Sequence, residues 1–289
     1  MIPALLSHMV LAGPGSPGVA IPLYVLDEPC TDSRYPALAG PWVVGCGGDG
    51  QVDRALSLTS GTLLTLPISA VSPGLSEAAV YVSGWGGGLV RLSAAGATQE
   101  PDLPAIHEIP VAPLSLDGER VALLSEGRIQ ATDIHDAARQ LYEVSVAGWY
   151  PPALTDGHVA WVGHDETGEE DVWWMALSEG EPTLLSGGVG SQRHVVGDGV
   201  WLAWVEEDAV VLLNTETNHR QEFAVRTGFS APLTLWGGVV CWEEWAEDVD
   251  IVCSDGLAVR RPGHQQWPSR WGPWLLFREA GRVWLLTAD

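Results

Sequence analysis

The sequence predicts an all-β fold, a seven-bladed β-propeller, and three observations carry that prediction. A turn motif recurs at steps of 37, 40, 39, 42, 38 and 36 residues. Each copy is followed by a pair of apolar, β-rich runs at hairpin distance. No stretch shows a sustained 3.6-residue apolar period with helix caps, so almost no helix is expected. A unit of about 40 residues holding four short strands is the signature of a propeller blade.

The motif reads as a proline, a small or apolar pair, and then a turn with glycine. Its copies begin at Pro36, Pro73, Pro113, Pro152, His194, Pro232 and Pro268. The second-strand runs are clearest in His158–Trp161, Trp201–Trp204, Val239–Trp242 and Trp274–Phe277. Their third-strand partners are Val172–Met175, Val210–Leu213, Ile251–Cys253 and Val283–Leu286. Short β-branched and aromatic runs joined by Gly, Asp and Glu turns read as antiparallel strands. The seventh unit lacks a fourth strand before the chain reaches Asp289, whereas Ile21–Leu26 is a strand with no unit before it. We therefore expect Ile21–Leu26 to complete the last blade, closing the ring and removing a sheet edge. On this reading residues 21–289 form one propeller domain. Residues 1–20 are a flexible tail or the remnant of an export signal.

Charge narrows the function. The chain holds 289 residues, with 37 acidic and 14 basic side chains and a net charge of −23. Every basic residue is arginine, which excludes a Schiff-base, P-loop or kinase lysine. Nucleic acid is not an expected partner, because phosphate neutralisation needs positive charge. Apolar runs are too short for a membrane span of roughly 20 residues. The leader is weak: no Arg or Lys precedes the apolar stretch from Pro3 to Ala12, and His8 interrupts it. The composition suits either a GC-rich genome or a salt-adapted protein.

Four cysteines permit three pairings. Cys241 and Cys253 stand six residues either side of Glu247, at the turn between two strands. Cys30 lies in the link out of the closing strand, and Cys46 at the end of the next unit's second strand. Cys30–Cys46 with Cys241–Cys253 is the natural pairing, and four buried thiols are the alternative. Bridges would place the protein in an oxidising compartment.

The repeats resemble those of the TolB-type, WD-like β-propellers of bacterial envelope and surface proteins. Pro152–Gly157, Val159–Trp161, Asp165–Glu169 and Asp171-Val172-Trp173 carry the resemblance best, followed by Pro232–Cys253 with Asp248-Val249-Asp250-Ile251. It spans about residues 34–289 and implies a propeller in a periplasmic or extracellular setting. It does not imply a place in the Tol–Pal system. TolB itself has six blades and an N-terminal α/β domain, and neither is read in these 289 residues.

Sites are harder to read. Asp165, Glu166, Glu169 and Asp171 lie in one acidic hairpin and are the candidate ligands of a calcium ion, which takes six to eight oxygens. A solvated turn is the competing reading, because the spacing is not that of an EF-hand. No other cofactor is expected. Further acidic turns occur at Glu206–Asp208 and over Glu243, Glu244, Glu247, Asp248 and Asp250. All three should share one face and favour a cation or a basic partner. Trp161, Trp173, Trp204 and Trp242 are expected in the core. Among the tryptophans near links and turns (Trp85, Trp149, Trp245, Trp267 and Trp271), the last three join Glu243 and Asp248 as candidate binding residues. His107, His135, His158, His164, His194, His219 and His264 show no metal-binding spacing, and no GxSxG elbow or dinucleotide fingerprint is present. The expected function is a non-enzymatic scaffold that binds a protein or other macromolecular partner in the cell envelope or at the cell surface. A carbohydrate-binding propeller, or a hydrolase or lyase acting at the channel mouth, are the alternatives. Oligomeric state is not legible.

Overall fold

In the computed structural model the described residues run nearly unbroken from 152 to 287, omitting 179, 188–189 and 226–232. Before them are residues 37–44, 54–66 and the strands named below. No described residue is helical. In the first sheets, β1 is Leu6–Ala12, β2 Ala20–Leu26, β3 Ala37–Ala39, β4 Trp42–Val44, β5 Arg54–Ser57 and β6 Leu63–Thr65. Then come β7 Ala70–Leu75, β8 Val80–Gly84, β9 Leu89–Ser93, β10 Gly96–Gln99, β11 Ser115–Asp117, β12 Arg120–Ser125, β13 Arg128–Asp133 and β14 Gln140–Tyr142. The second half of the chain holds β15 Ala153–Thr155, β16 His158–His164, β17 Glu170–Ala176, β18 Thr183–Ser186, β19 Gln192–Asp198, β20 Trp201–Glu206, β21 Ala209–Asn214 and β22 His219–Ala224. It ends with β23 Thr234–Trp236, β24 Val239–Trp245, β25 Val249–Cys253, β26 Ala258–Val259, β27 Gln265–Trp271, β28 Trp274–Glu279 and β29 Arg282–Thr287.

From β3 to β26 the strands form antiparallel four-stranded sheets, each a simple meander of consecutive strands. One further sheet has the order β1-β2-β29-β28-β27 and so joins the two ends of the chain. In it Leu23 stands opposite Leu286 and Leu26 opposite Val283. The segment read as a tail or signal remnant contains β1, which pairs with β2 from Leu6↔Leu26 to Ala12↔Ala20. Its apolar residues lie just before a Gly- and Pro-rich stretch in the sequence.

Each meander's first strand neighbours the first strand of the next, in the order β3, β7, β11, β15, β19, β23, β27, and β27 neighbours β3. Side chains bridge these strands. Ser269 Oγ accepts the Leu38 N–H at 2.8 Å, Thr234 Oγ1 accepts the Arg270 N–H at 3.0 Å, and the Thr155 hydroxyl donates to the Gly199 carbonyl. The proline mark begins the short strands β3, β15 and β23 but falls inside β7 and β27. β19 and β27 are longer and carry bulges, between Arg193 and Val196 and between Gln266 and Ser269. A proline at a bulge or free edge forfeits no ladder hydrogen bond, so Pro268 is tolerated there.

The central strands bury both faces, which explains their near-continuous apolar sequence. On β20, Leu202 and Trp204 pack toward β15–β18, against Ala160, Val162 and Val172. Ala203 and Val205 pack the other way, against Leu233, Val240 and Trp242. Leu38, Val43 and Leu56 of the β3–β6 sheet share a cluster with Leu276, Val283 and Leu285. Trp161, Trp204, Trp242 and Phe277 occupy equivalent positions in four successive sheets, and all are buried. Truncating such a side chain removes its apolar burial and leaves a cavity that the paired sheets cannot close. Trp204→Ala is expected to lower unfolding free energy by about 3–5 kcal/mol, read from the chemical denaturation midpoint.

Candidate binding face

One end of the sheets gathers the turns between second and third strands together with the links between neighbouring sheets. Contacts fix this arrangement. The Glu207 N–H reaches the Ser191 carbonyl at 3.4 Å, and the Gly263 N–H donates to Asp248 Oδ2 at 3.1 Å. Two of the acidic turns expected to share a face, at Glu206–Asp208 and around Asp248, meet these links. The remaining turns, such as Gly199-Val200 and Gly237-Gly238, lie at the opposite end.

The candidate calcium ligands do not converge. Asp165 is committed to its own turn. Its Oδ1 accepts the Thr167 and Glu169 N–H groups at 2.8 and 2.9 Å and the Thr167 hydroxyl at 2.8 Å. These bonds, led by that of the Thr167 hydroxyl, hold its carboxyl below the usual aspartate range. Glu166 and Glu169 are exposed, whereas Asp171 is 3% exposed within the sheet, near Gly187. Among the described residues no group of three or more His, Cys, Asp or Glu side chains is placed to hold a metal ion.

Other carboxylates are also committed to structure. Burial pushes Glu206 upward, but hydrogen bonds from Trp204 Nε1 (3.0 Å) and Ser186 Oγ (2.8 Å), with Arg220 at 3.0 Å, outweigh it and leave its pKa lowered. Glu243, a candidate binding residue, is 1% exposed and accepts the Trp267 N–H at 2.7 Å. That bond fixes the β27 bulge, where Trp267 takes a φ of 59°. A left-handed backbone at a bulky residue is costly and persists only where its surroundings enforce it. Glu279 pairs with Arg261 at 3.1 Å and accepts Gln265 Nε2 at 2.8 Å.

The candidate tryptophans separate. Trp245 ends β24 at the acidic end and is 39% exposed, its ring 6.5 Å from that of His264. Trp267 is half-buried on the β27 bulge. Trp271 lies at the other end, edge-on to Trp236 at 6.4 Å. Trp85 and Trp149 lie outside the described residues, as do Cys30 and Cys46. Cys241 and Cys253 are bonded as expected, on directly opposed residues with a Cα separation of 4.0 Å. Both residues are buried, and Arg270 Nη1 lies 3.8 Å from the Cys241 sulfur.

Sequence reasoning missed the partners that links bring to this face. Arg260 lies 3.5 Å from Glu244 and 3.7 Å from Asp250. Burial, with repulsion from Asp248 and Glu244, raises the Asp250 pKa despite Arg260. His194 has a φ of 57° on the β19 bulge. Burial, then the Arg193 charge, pushes its pKa down to about 4, so its imidazole is neutral at pH 7.

No family model matches the chain, and no curated protein matches it in sequence. Solved structures do match. Oligogalacturonate lyase in complex with manganese aligns at a TM-score of 0.65 and 13% identity, covering 98% of this chain and 96% of that one. A catalytically inactive virginiamycin B lyase from Staphylococcus aureus, with quinupristin, aligns at 0.61 and 15%, covering 93% and 100%. BamB from Moraxella catarrhalis aligns at 0.51 and 16%, covering 88% and 82%. At such identities the likeness is one of fold, and the fold is a β-propeller.

The buried His194 has a consequence in acid. Its folded pKa lies below the unfolded value of about 6.5, so its contribution to stability is full above pH 6.5 and is lost as pH falls toward 4. His194→Asn keeps a residue that tolerates the left-handed backbone but removes the titration. Denaturation midpoints should show wild type losing up to about 3 kcal/mol more than this variant between pH 6.5 and 4.

Proposed function

We propose that the chain is a closed seven-bladed propeller that acts as a non-enzymatic scaffold. It binds a protein partner through the end bearing the acidic turns, in the cell envelope or at the cell surface. The observation that carries this reading is how the carboxylates divide. Asp165, Glu206, Glu243 and Glu279 are held by structural hydrogen bonds. Glu166, Glu169, Glu207, Asp208 and Glu247 are exposed on the three acidic turns. A broad negative surface with an exposed aromatic suits a protein interface, where charge sets approach and an aromatic anchors. The buried Cys241–Cys253 bond agrees with an oxidising compartment.

One observation favours a second reading. His194 holds a neutral imidazole on a first strand, where it would line a central channel, and two of the similar structures are lyases. A single comparison separates the two. Immobilised wild type and a variant carrying Glu166→Gln, Glu169→Gln, Glu207→Gln and Glu247→Gln are exposed to envelope extract at low salt. The scaffold reading expects a protein retained by wild type and lost by the variant. Equal retention contradicts it. Turnover of oligogalacturonate or quinupristin that disappears in His194→Asn would replace it with the lyase reading.

A further inference from the structure

The Cys241–Cys253 bond is not packed among apolar side chains alone. Both residues lie in the cluster that joins the β23–β26 sheet to β28, with Ile251, Val259, Leu275 and Phe277. Arg270 stands opposite Leu275 on β27 and so faces the same gap. Its backbone is held level with the cysteines, because its N–H donates to Thr234 Oγ1 at 3.0 Å and Thr234 stands opposite Cys241. The guanidinium is carried into the apolar gap, and Arg270 is only 9% exposed. There Nη2 meets Asp255 Oδ2 at 2.8 Å, Nη1 lies 3.8 Å from the Cys241 sulfur, and Nε is buried without a hydrogen-bond partner.

A guanidinium offers five N–H donors, and burying it costs free energy unless they are paired. A disulfide sulfur is a weak acceptor, whereas a thiolate is a full anion. Arg270 therefore interacts more favourably with the reduced pair, and an adjacent arginine favours thiolate over thiol. Access runs through the β25–β26 turn. Cys253 is the last residue of β25, Asp255 and Gly256 beyond it are exposed, and the outer strand β26 is only Ala258–Val259. Asp255 ties this turn to the guanidinium, since its Oδ1 accepts the Leu257 N–H at 3.1 Å while its Oδ2 holds Arg270. So short an outer strand opens locally at small cost, which brings Cys253 within reach of an attacking thiolate.

We propose that Cys241–Cys253 is a thiol–disulfide switch, with Arg270 holding Cys241 as a thiolate once the bond is reduced. The step is exchange with a dithiol. One thiolate of the dithiol attacks Cys253 Sγ. The Cys241–Cys253 bond breaks, and its electron pair leaves on Cys241 Sγ beside Arg270. The second thiol of the dithiol, having lost its proton, displaces the Cys253 sulfur from the mixed disulfide, and Cys253 takes up a proton. Two electrons pass to the protein and the dithiol ends as a disulfide. Of its two protons, one ends on Cys253 and one is released to water. A stabilised thiolate leaves faster and draws the equilibrium toward the reduced pair. Reduction thus exchanges the covalent clamp across β24 and β25 for an ion pair with β27. The switch is independent of the scaffold reading, which stands whether or not the bond responds.

The test equilibrates the full chain with mixtures of reduced and oxidised dithiothreitol at neutral pH. Acid quench, alkylation and peptide mapping then separate Cys241 and Cys253 from Cys30 and Cys46. Wild type should reach half reduction while circular dichroism still reports native strands. After anaerobic removal of the reagent, its reduced form should show ultraviolet thiolate absorbance that alkylation abolishes. Arg270→Met should need about a tenfold higher ratio of reduced to oxidised reagent and lose that absorbance. Asp255→Asn, which removes the competing anion, should need a ratio about threefold lower. Both substitutions break the same ion pair, so a merely structural Arg270 would make reduction easier in both. Shifts in one direction, an unchanged midpoint in Arg270→Met, or a wild-type bond reduced only as the strands unfold overturns the proposal. If Arg270→Met does not fold, Arg270→Lys and wild type decide: thiolate absorbance is expected in both, and a neutral thiol in wild type overturns the proposal.

Discussion

Face-to-face burial of the central strands is the constraint on which the rest of the structure depends. A meander of four strands cannot hide two apolar faces by itself, and here β16, β20, β24 and β28 are apolar on both. Each sheet needs a neighbour on either side, and a row of such sheets has no natural end. Leu38, Val43 and Leu56 share a cluster with Leu276, Val283 and Leu285, which packs the β3–β6 sheet against the sheet holding β28 and β29; the closed ring proposed above would leave no open end. One large ring in each gap, from Trp161 to Phe277, sets how closely the sheets approach.

This packing leaves function to the sheet ends, where turns and links are free of core duties. Yet many polar groups there still serve the fold. Glu243 holds the β27 bulge through the Trp267 N–H, and Glu206 ties Trp204, Ser186 and Arg220 together across two sheets. The exposed carboxylates stand further out, on the turn tips.

The repeat, the strand pairs and the cysteine register were legible because each obeys a short-range rule. Cys241 and Cys253 flank a turn symmetrically, so antiparallel pairing sets them opposite one another. The core tryptophans were legible from their fixed place in the second strand. What failed to show was anything decided by which carboxylate meets which donor. Glu243 and Glu247 look alike in sequence, but one is buried under a bulge and the other is in water. The acidic hairpin at Asp165 reads like a cation loop, and its lead carboxylate is filled by its own turn. His194 stands at the position a proline holds in six of seven marks. The strand register instead sets His194 level with Trp267, the left-handed residue before Pro268, and neither that bulge nor the neutral imidazole it holds was visible. Bulges shift register by one residue, and no period in the sequence records them.

Strand β2 pairs with β29 in the sheet that holds both ends of the chain, and the ring closure proposed above would make the propeller one cooperative unit. Deleting residues 1–26 tests it most directly, with equilibrium denaturation of the shortened and full chains compared by tryptophan fluorescence and circular dichroism. If β2 closes the ring, the shortened chain unfolds at a clearly lower denaturant concentration, in a broader transition, because the β29 edge and the apolar gap beside it are opened. An unchanged, equally steep transition would contradict the claim.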